Sequence, residues 1–169
     1  MTVSISIREA FGKELVRLGK TNKKIVAVSC DLKDACKLSF FFEKYPKRSF
    51  EVGIAEANAV GISAGLSMSG FRPFLASFAS FITGKNVEIR TSISYNKCGV
   101  VIVGTHGGLI GPDGATQSSV QDVAVMRSLP YFEIIQPSSP LETKQITAYS
   151  ASSKKPTYLR IARNEVTEF

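Results

Sequence analysis

Apolar positions along this chain change period again and again, dividing it into alternating helices and strands. Residues 4–19 carry Ile5, Ala10, Phe11, Leu15, Val16 and Leu18 on a roughly helical period. After Lys23 and Lys24 the run IVAVS is short and β-branched, as a buried parallel strand requires. The pattern then repeats. SFEV at 49–52 predicts a strand, 55–69 a helix, RPFLAS at 72–77 a strand, and the following segment a helix through about 96. VVIVGT at 100–105 predicts a strand, VQDVAVMRSL at 120–129 a helix, and YFEIIQP at 131–137 a strand. Residues 140–152 are helical in pattern, and PTYLRIA at 156–162 closes the sheet. Short connections with no linker, repeat or low-complexity tract predict a single α/β domain over 1–169. Its form should be a three-layer sandwich: a mostly parallel sheet of about six strands with helices on both faces.

Composition supports one folded unit, since 169 residues with 44% hydrophobic content are enough for one core. The first twenty residues lack the basic head and apolar centre of a signal peptide, and no apolar run reaches the ~20 residues of a membrane helix. Cys30, Cys36 and Cys98 form no CxxC pair, so a reduced, cytoplasmic setting is expected. The formal charge of +7 comes from scattered clusters: Lys20, Lys23 and Lys24; Lys44, Lys47 and Arg48; Lys154 and Lys155. None forms a stripe interleaved with aromatics, which argues against nucleic acid as a partner. An ordinary solvated surface accounts for most of this charge. Attraction for a phosphorylated small molecule or an acidic chain is its other use.

Two loops fall at the carboxyl ends of predicted strands, where open α/β sheets bind ligands. One is 29-SCDLKDACKLS-39; the other, 104-GTHGGLIGPDGATQSSVQD-122, holds the only histidine, His106, together with Asp113. Gly107, Gly108, Gly111 and Gly114 allow the second loop tight turns or close approach to a ligand. A flexible surface loop is the plainer alternative. No GxGxxG opens a helix and no GxxxxGK[ST] is present; GxSxG and HExxH are absent too, which removes most self-sufficient catalytic sites.

Glu56 then stands out. It sits in GIAEANAVGISAGLSM, and no Lys or Arg occurs between Arg48 and Arg72. A carboxylic acid kept dry with no cation beside it favours its protonated form and can donate to a ring nitrogen. Alternatively, Glu56 answers the dipole at a helix N-terminus. Gly61 and Gly65, a turn apart, suit close packing against another element, within this chain or across an interface.

The runs GIAEANAVGISAGLSMSGFRPF, FASF, THGGLIGPDGATQSSVQDVAVMRSLP and IIQPSSPLE, in that order, resemble the pyrimidine-binding domain of transketolases. The likeness extends from SIREAFGKEL to PTYLRIAR, and is greatest to the C-terminal subunit of two-part transketolases. It implies the thiamine-diphosphate-binding fold and gives Glu56 a role, on the aminopyrimidine ring of thiamine diphosphate. In the family that contact favours the imino form, which takes the proton from the thiazolium carbon. Phe78 and Phe81 match the aromatic positions on that ring, although core filling would also explain them. Asp31 is placed among the cofactor-binding residues. His106 and Asp113 correspond to substrate-channel residues, His106 with a catalytic part. Arg163, and more loosely Arg8, correspond to arginines that hold a sugar phosphate; a plain surface position would equally account for Arg8.

Departures from the family pattern bear on substrate. Gln117 stands where a histidine usually follows the DG-x-T turn, and Ala35 where a phosphate-binding serine is common. The GDG…N motif that holds the diphosphate and its divalent metal, magnesium or calcium, is absent. A partner subunit or domain is therefore expected to supply it, with a homo-oligomer also implied. Deoxyxylulose-phosphate synthase and the beta subunit of a 2-oxoacid dehydrogenase share fold and cofactor. The compact His106-to-Asp113 loop favours the former; the latter lacks support, since no G-x-x-F precedes the glutamate motif. A non-catalytic assembly or regulatory module is the remaining alternative, favoured by Gln117 and short length and opposed by Glu56 with its phenylalanine pair.

Overall fold

The computed structural model describes residues 4–110 and 113–167. Strand β1 (Ser4–Ser6) leads straight into helix α1 (Ile7–Thr21), because the Ser6 hydroxyl accepts the Glu9 amide at 3.4 Å and caps the helix. Strand β2 (Ile25–Ser29), helix α2 (Ser39–Lys44), strand β3 (Ser49–Glu51) and helix α3 (Glu56–Met68) follow. Next come β4 (Arg72–Phe78), α4 (Ala79–Thr83), α5 (Asn86–Glu88), β5 (Val101–Thr105), α6 (Asp122–Arg127), β6 (Glu133–Ile135), α7 (Pro140–Ser152), β7 (Thr157–Ile161) and β8 (Glu165–Thr167).

Six strands form one sheet in the order β3-β2-β4-β5-β7-β6, every pair parallel. Side chains alternate across it, so each strand feeds two cores. Ile25, Ala27, Phe74, Ala76, Val101, Val103, Leu159 and Ile161 face Phe11 and Leu15 of α1 and Phe41 of α2. Val28, Leu75, Ile102 and Tyr158 face Ala59, Val60 and Ala64 of α3, with Ile89, Ile93 and Met126. Fully burying each large aliphatic or aromatic side chain contributes about 1.5–3 kcal/mol, which is why both faces are covered. The expected three-layer α/β sandwich is the observed one.

Local expectations needed correction in two places. Residues 4–6, read as helix, pair instead with β8 in a separate antiparallel ribbon, Ser4 opposite Thr167 and Ser6 opposite Glu165. The single helix expected through about 96 is broken. Gly84 caps α4, whose Thr83 hydroxyl turns back to Ala79 O at 2.6 Å, and residues 89–94 wind as a π-helix. The Tyr95 amide reaches Arg90 O at 2.8 Å and the Cys98 amide Ile93 O at 2.9 Å, the wider spacing of that turn. No helix among the described residues is long and apolar enough to cross a membrane.

Candidate functional site

The carboxyl ends of β2, β4, β5 and β7 share one edge of the sheet, and the loops leaving them build the site. Glu56 begins α3 with its side chain 7% exposed. Ser77, on β4, donates to Glu56 Oε1 at 2.9 Å, and no cation lies within 4.0 Å of the carboxylate among the described residues. The acid therefore sits at the helix start and is buried there.

A cleft of about 250 Å³ opens beside it, lined by Cys30, Asp31, Leu32, Ile54, Glu56 and Phe81. Asp31 follows β2 with φ 60°, its amide held by Glu51 Oε1 at 2.6 Å. Phe81 stacks on Phe78 with centroids 5.3 Å apart and planes 20° apart. It lines the cleft and is only partly buried. Phe78 then meets the His106 ring at 3.9 Å and links the acid's cleft to a second, polar cluster.

His106 leaves β5 in the left-handed region at φ 60°, a conformation uncommon for a non-glycine residue and frequent where a site fixes a side chain. Its Nδ1 lies 3.0 Å from Thr105 Oγ1 and its Nε2 3.4 Å from Arg8 Nη1. Burial, and then the Arg8 guanidinium, push the imidazole down to about 4, so it is neutral near pH 7 and able to exchange hydrogen bonds there. Arg8 also donates to Ala35 O at 3.0 Å and is half-buried, its basicity lowered by burial and by Arg163. Arg163, just beyond β7, donates from Nη2 to Asp113 Oδ1 at 3.4 Å, and its Nε is ion-paired with Oδ2.

The long loop is tied at its base. Gly108 and Ser119 exchange amide bonds of 2.7 and 3.0 Å, and Ser80 Oγ donates to Gln117 O at 3.1 Å. Gln117 Oε1 is buried without a hydrogen-bond partner among the described residues, an open acceptor for a donor such as a hydroxyl. Gly111 lies outside the described residues. Asp122 fixes the far side: buried completely, it accepts Tyr158 Oη at 2.8 Å and Arg160 Nε at 2.7 Å. Arg160 Nη2 in turn reaches Ser119 O at 3.3 Å.

All nine residues singled out in the sequence thus fall at one sheet edge. Ser77, Thr105 and Asp122 were missed. A serine or threonine inside an apolar strand looks like small filler, and only the register betrays the contact. Among the described residues no cluster of three or more His, Cys, Asp or Glu could hold a metal.

A chain with this fold and site belongs to a known family. Residues 3–168 match the family described as "Transketolase, pyrimidine binding domain", and the chain is a member of it. A protein from Methanocaldococcus jannaschii described as a transketolase C-terminal section is 35% identical over 161 residues, covering 94% of this chain and 51% of that protein. A 1-deoxy-D-xylulose-5-phosphate synthase from Tropheryma whipplei is 33% identical over 158 residues, covering 94% of this chain and 25% of the other. Among solved structures, a split-gene transketolase described as an inactive beta4 tetramer superposes with TM-score 0.88 at 41% identity, over 98% of this chain and 54% of its own. The chain thus spans about half the length of the first of these relatives.

Proposed function

We propose that this chain is the pyrimidine-binding part of a thiamine-diphosphate-dependent transketolase that moves two-carbon ketol units between sugar phosphates. The observation that carries this reading is Glu56, buried at the head of a cleft with a neutral hydroxyl as its partner. These residues fit an aminopyrimidine. The carboxylate would meet a ring nitrogen, Phe81 with Phe78 behind it offers an aromatic face, and Ile54 and Leu32 add apolar walls. When bound, thiamine diphosphate supplies the carbon nucleophile that ketol transfer needs.

The rest is the chain's own work. Glu56 holds a proton between its carboxylate and the ring nitrogen, and Ser77 keeps Oε1 aimed while it does so. Neutral His106 and the open Gln117 acceptor take donor hydroxyls, while Arg8 and Arg163 offer guanidinium donors to a sugar phosphate. Asp113 keeps Arg163 in place until substrate competes for it.

The sequence holds no GDG triplet, so the diphosphate and its magnesium or calcium ion fall to a second subunit or domain. The outer face of α3, where nothing lies within 4 Å of a Cβ added at Gly61 or Gly65, and Ile54 just before the helix, 84% exposed, are open to a partner chain or a second copy. Among the alternatives, deoxyxylulose-phosphate synthase activity has the 33% identity noted above in its favour. Three free cysteines suit a cytoplasmic setting.

Mixing the chain with a GDG…N-bearing companion, thiamine diphosphate and magnesium, then following ketol transfer from xylulose 5-phosphate, tests the proposal. Activity that needs both chains and collapses in Glu56→Gln is expected. Full activity in that variant would remove Glu56 from its role, and condensation of pyruvate with glyceraldehyde 3-phosphate instead would assign the synthase.

A further inference from the structure

We propose that the amino-terminal edge of the sheet, opposite the Glu56 cleft, binds a phosphorylated small molecule carrying at least two phosphate groups. The residues concerned stand just before or at the start of central strands. Lys24 precedes β2, Arg72 opens β4, Lys97 and Gly99 lead into β5, and Lys154 and Lys155 lead into β7. The parallel register, with Ile25 opposite Arg72 and Val101 opposite Thr157, gathers them at one edge. At about 3.3 Å per residue, the strands hold this edge roughly 15–20 Å from the carboxyl-end site.

Two clefts of about 440 Å³ each adjoin there, and Lys97 and Lys154 line both. Lys24, Asn96 and Gly99 line the first, and Tyr131 and Lys155 the second. Among the described residues Lys24, Lys97 and Lys154 have no carboxylate within 4.0 Å, whereas Lys155 is paired with Glu133 at 3.1 Å. Lys97 Nζ rests 4.5 Å from the centre of the Tyr131 ring, so its ammonium is steadied over an aromatic face and not over an acid.

Arg72 adds the second, independent observation. It is 6% exposed, Nε donating to Ser150 O at 2.8 Å and Nη1 to Lys155 O at 3.1 Å, while the Glu133 carboxylate in the second cleft offsets part of its charge without a direct ion pair. Nη2 has no partner among the described residues. The guanidinium presses against Gly99, where an added Cβ would lie 2.8 Å from Nη1 and 3.0 Å from Lys154 O. Burial lowers the basicity of Arg72 to about 10, which still leaves it cationic at neutral pH. An orphaned, buried Nη2 beside three exposed ammonium groups that no carboxylate among the described residues neutralises makes a positive field an anion can enter. Phosphate suits such a mixture, taking point charges from lysines and a planar fork from arginine. Cations spread over two joined clefts call for more than one phosphate. The exposed rings of Phe71 and Tyr131 offer a base or sugar a surface to lie on.

Calorimetric titration of the 169-residue chain with tripolyphosphate, and separately with ATP, at about 0.15 M salt tests this. Saturable one-to-one binding is expected, weakened roughly tenfold or more by the Lys97→Ala/Lys154→Ala pair and untouched by the control Lys44→Ala/Lys47→Ala. Arg72→Met should weaken it further; should that variant not fold, the lysine pair decides alone. Tighter binding of ATP than of tripolyphosphate would show that a ring contributes, and equal binding that phosphate alone is read; either supports the site. Absence of saturable binding, equal weakening by the control pair, weakening by Arg163→Ala, or equal displacement by a hexaglutamate peptide would overturn it.

Discussion

Ser77 Oγ donates to Glu56 Oε1 at 2.9 Å, joining the end of a central strand to the first turn of the helix that precedes it in sequence. Removing the hydroxyl leaves a buried carboxylate oxygen short of a donor. Ser77→Ala should therefore cost on the order of 1–3 kcal/mol of stability, visible as an earlier denaturant midpoint. In the reconstituted enzyme it should also weaken cofactor binding, since the carboxylate is no longer aimed. An unchanged midpoint together with unchanged cofactor affinity would show the contact to be incidental.

His106 is the only histidine, so one resonance reports its titration. Burial and Arg8 hold it near 4, below the ordinary 6.5. The unfolded chain takes up this proton near 6.5 and the folded chain only near 4. The contribution to stability is thus fully present above the unfolded value and is lost as pH falls through the folded one. Arg8→Met removes one of the charges that depress it. The imidazole resonance, followed by NMR against pH, should titrate higher in that variant, and acid unfolding should begin at lower pH.

Asp122 anchors the long loop through Arg160 and Tyr158 in a buried network. Asp122→Ala leaves the guanidinium, whose side chain is 15% exposed, without its counter-charge. A loss of about 3–5 kcal/mol is expected. Hydrogen exchange should rise at the Gly108 and Ser119 amides, because Arg160 also holds Ser119 O.

Gly104 sits in β5 directly under Tyr158. A Cβ there would collide with the tyrosine hydroxyl and lie 2.6 Å from Cε2, and neither central strand can step aside. Gly104→Ala should lower stability by about 1–3 kcal/mol through overpacking, measured by thermal or denaturant unfolding.

The main architecture was legible because IVAVS, RPFLAS and VVIVGT are buried on both faces and carry no competing signal. β1 and β8 were not. Each has only three residues, and SIS runs without a break into a helical pattern. The break after β4 depends on Gly84 and on a π-turn that periodicity cannot distinguish from an α-helix. Helix α2 lay in a stretch to which no element was assigned, since six residues are too few to establish a period. Within the site, the charged and aromatic members were visible by type, whereas Ser77 and Thr105 acquire meaning only from the strand register that sets Ser77 against Gly104 and Phe78 against Thr105. Only Lys24, Lys154 and Lys155 of the basic edge stood out as charge, and the edge was not visible as a site, because Lys24, Arg72, Lys97 and Lys154 lie far apart in sequence.

The most direct test is the structure of this chain bound to thiamine diphosphate and the diphosphate-binding companion proposed for it. A Glu56 carboxylate oxygen should lie roughly 2.5–2.9 Å from a pyrimidine ring nitrogen, with Phe81 against the ring face. A ring seated elsewhere, with Glu56 still bonded to Ser77 alone or turned to a basic side chain, would contradict the account.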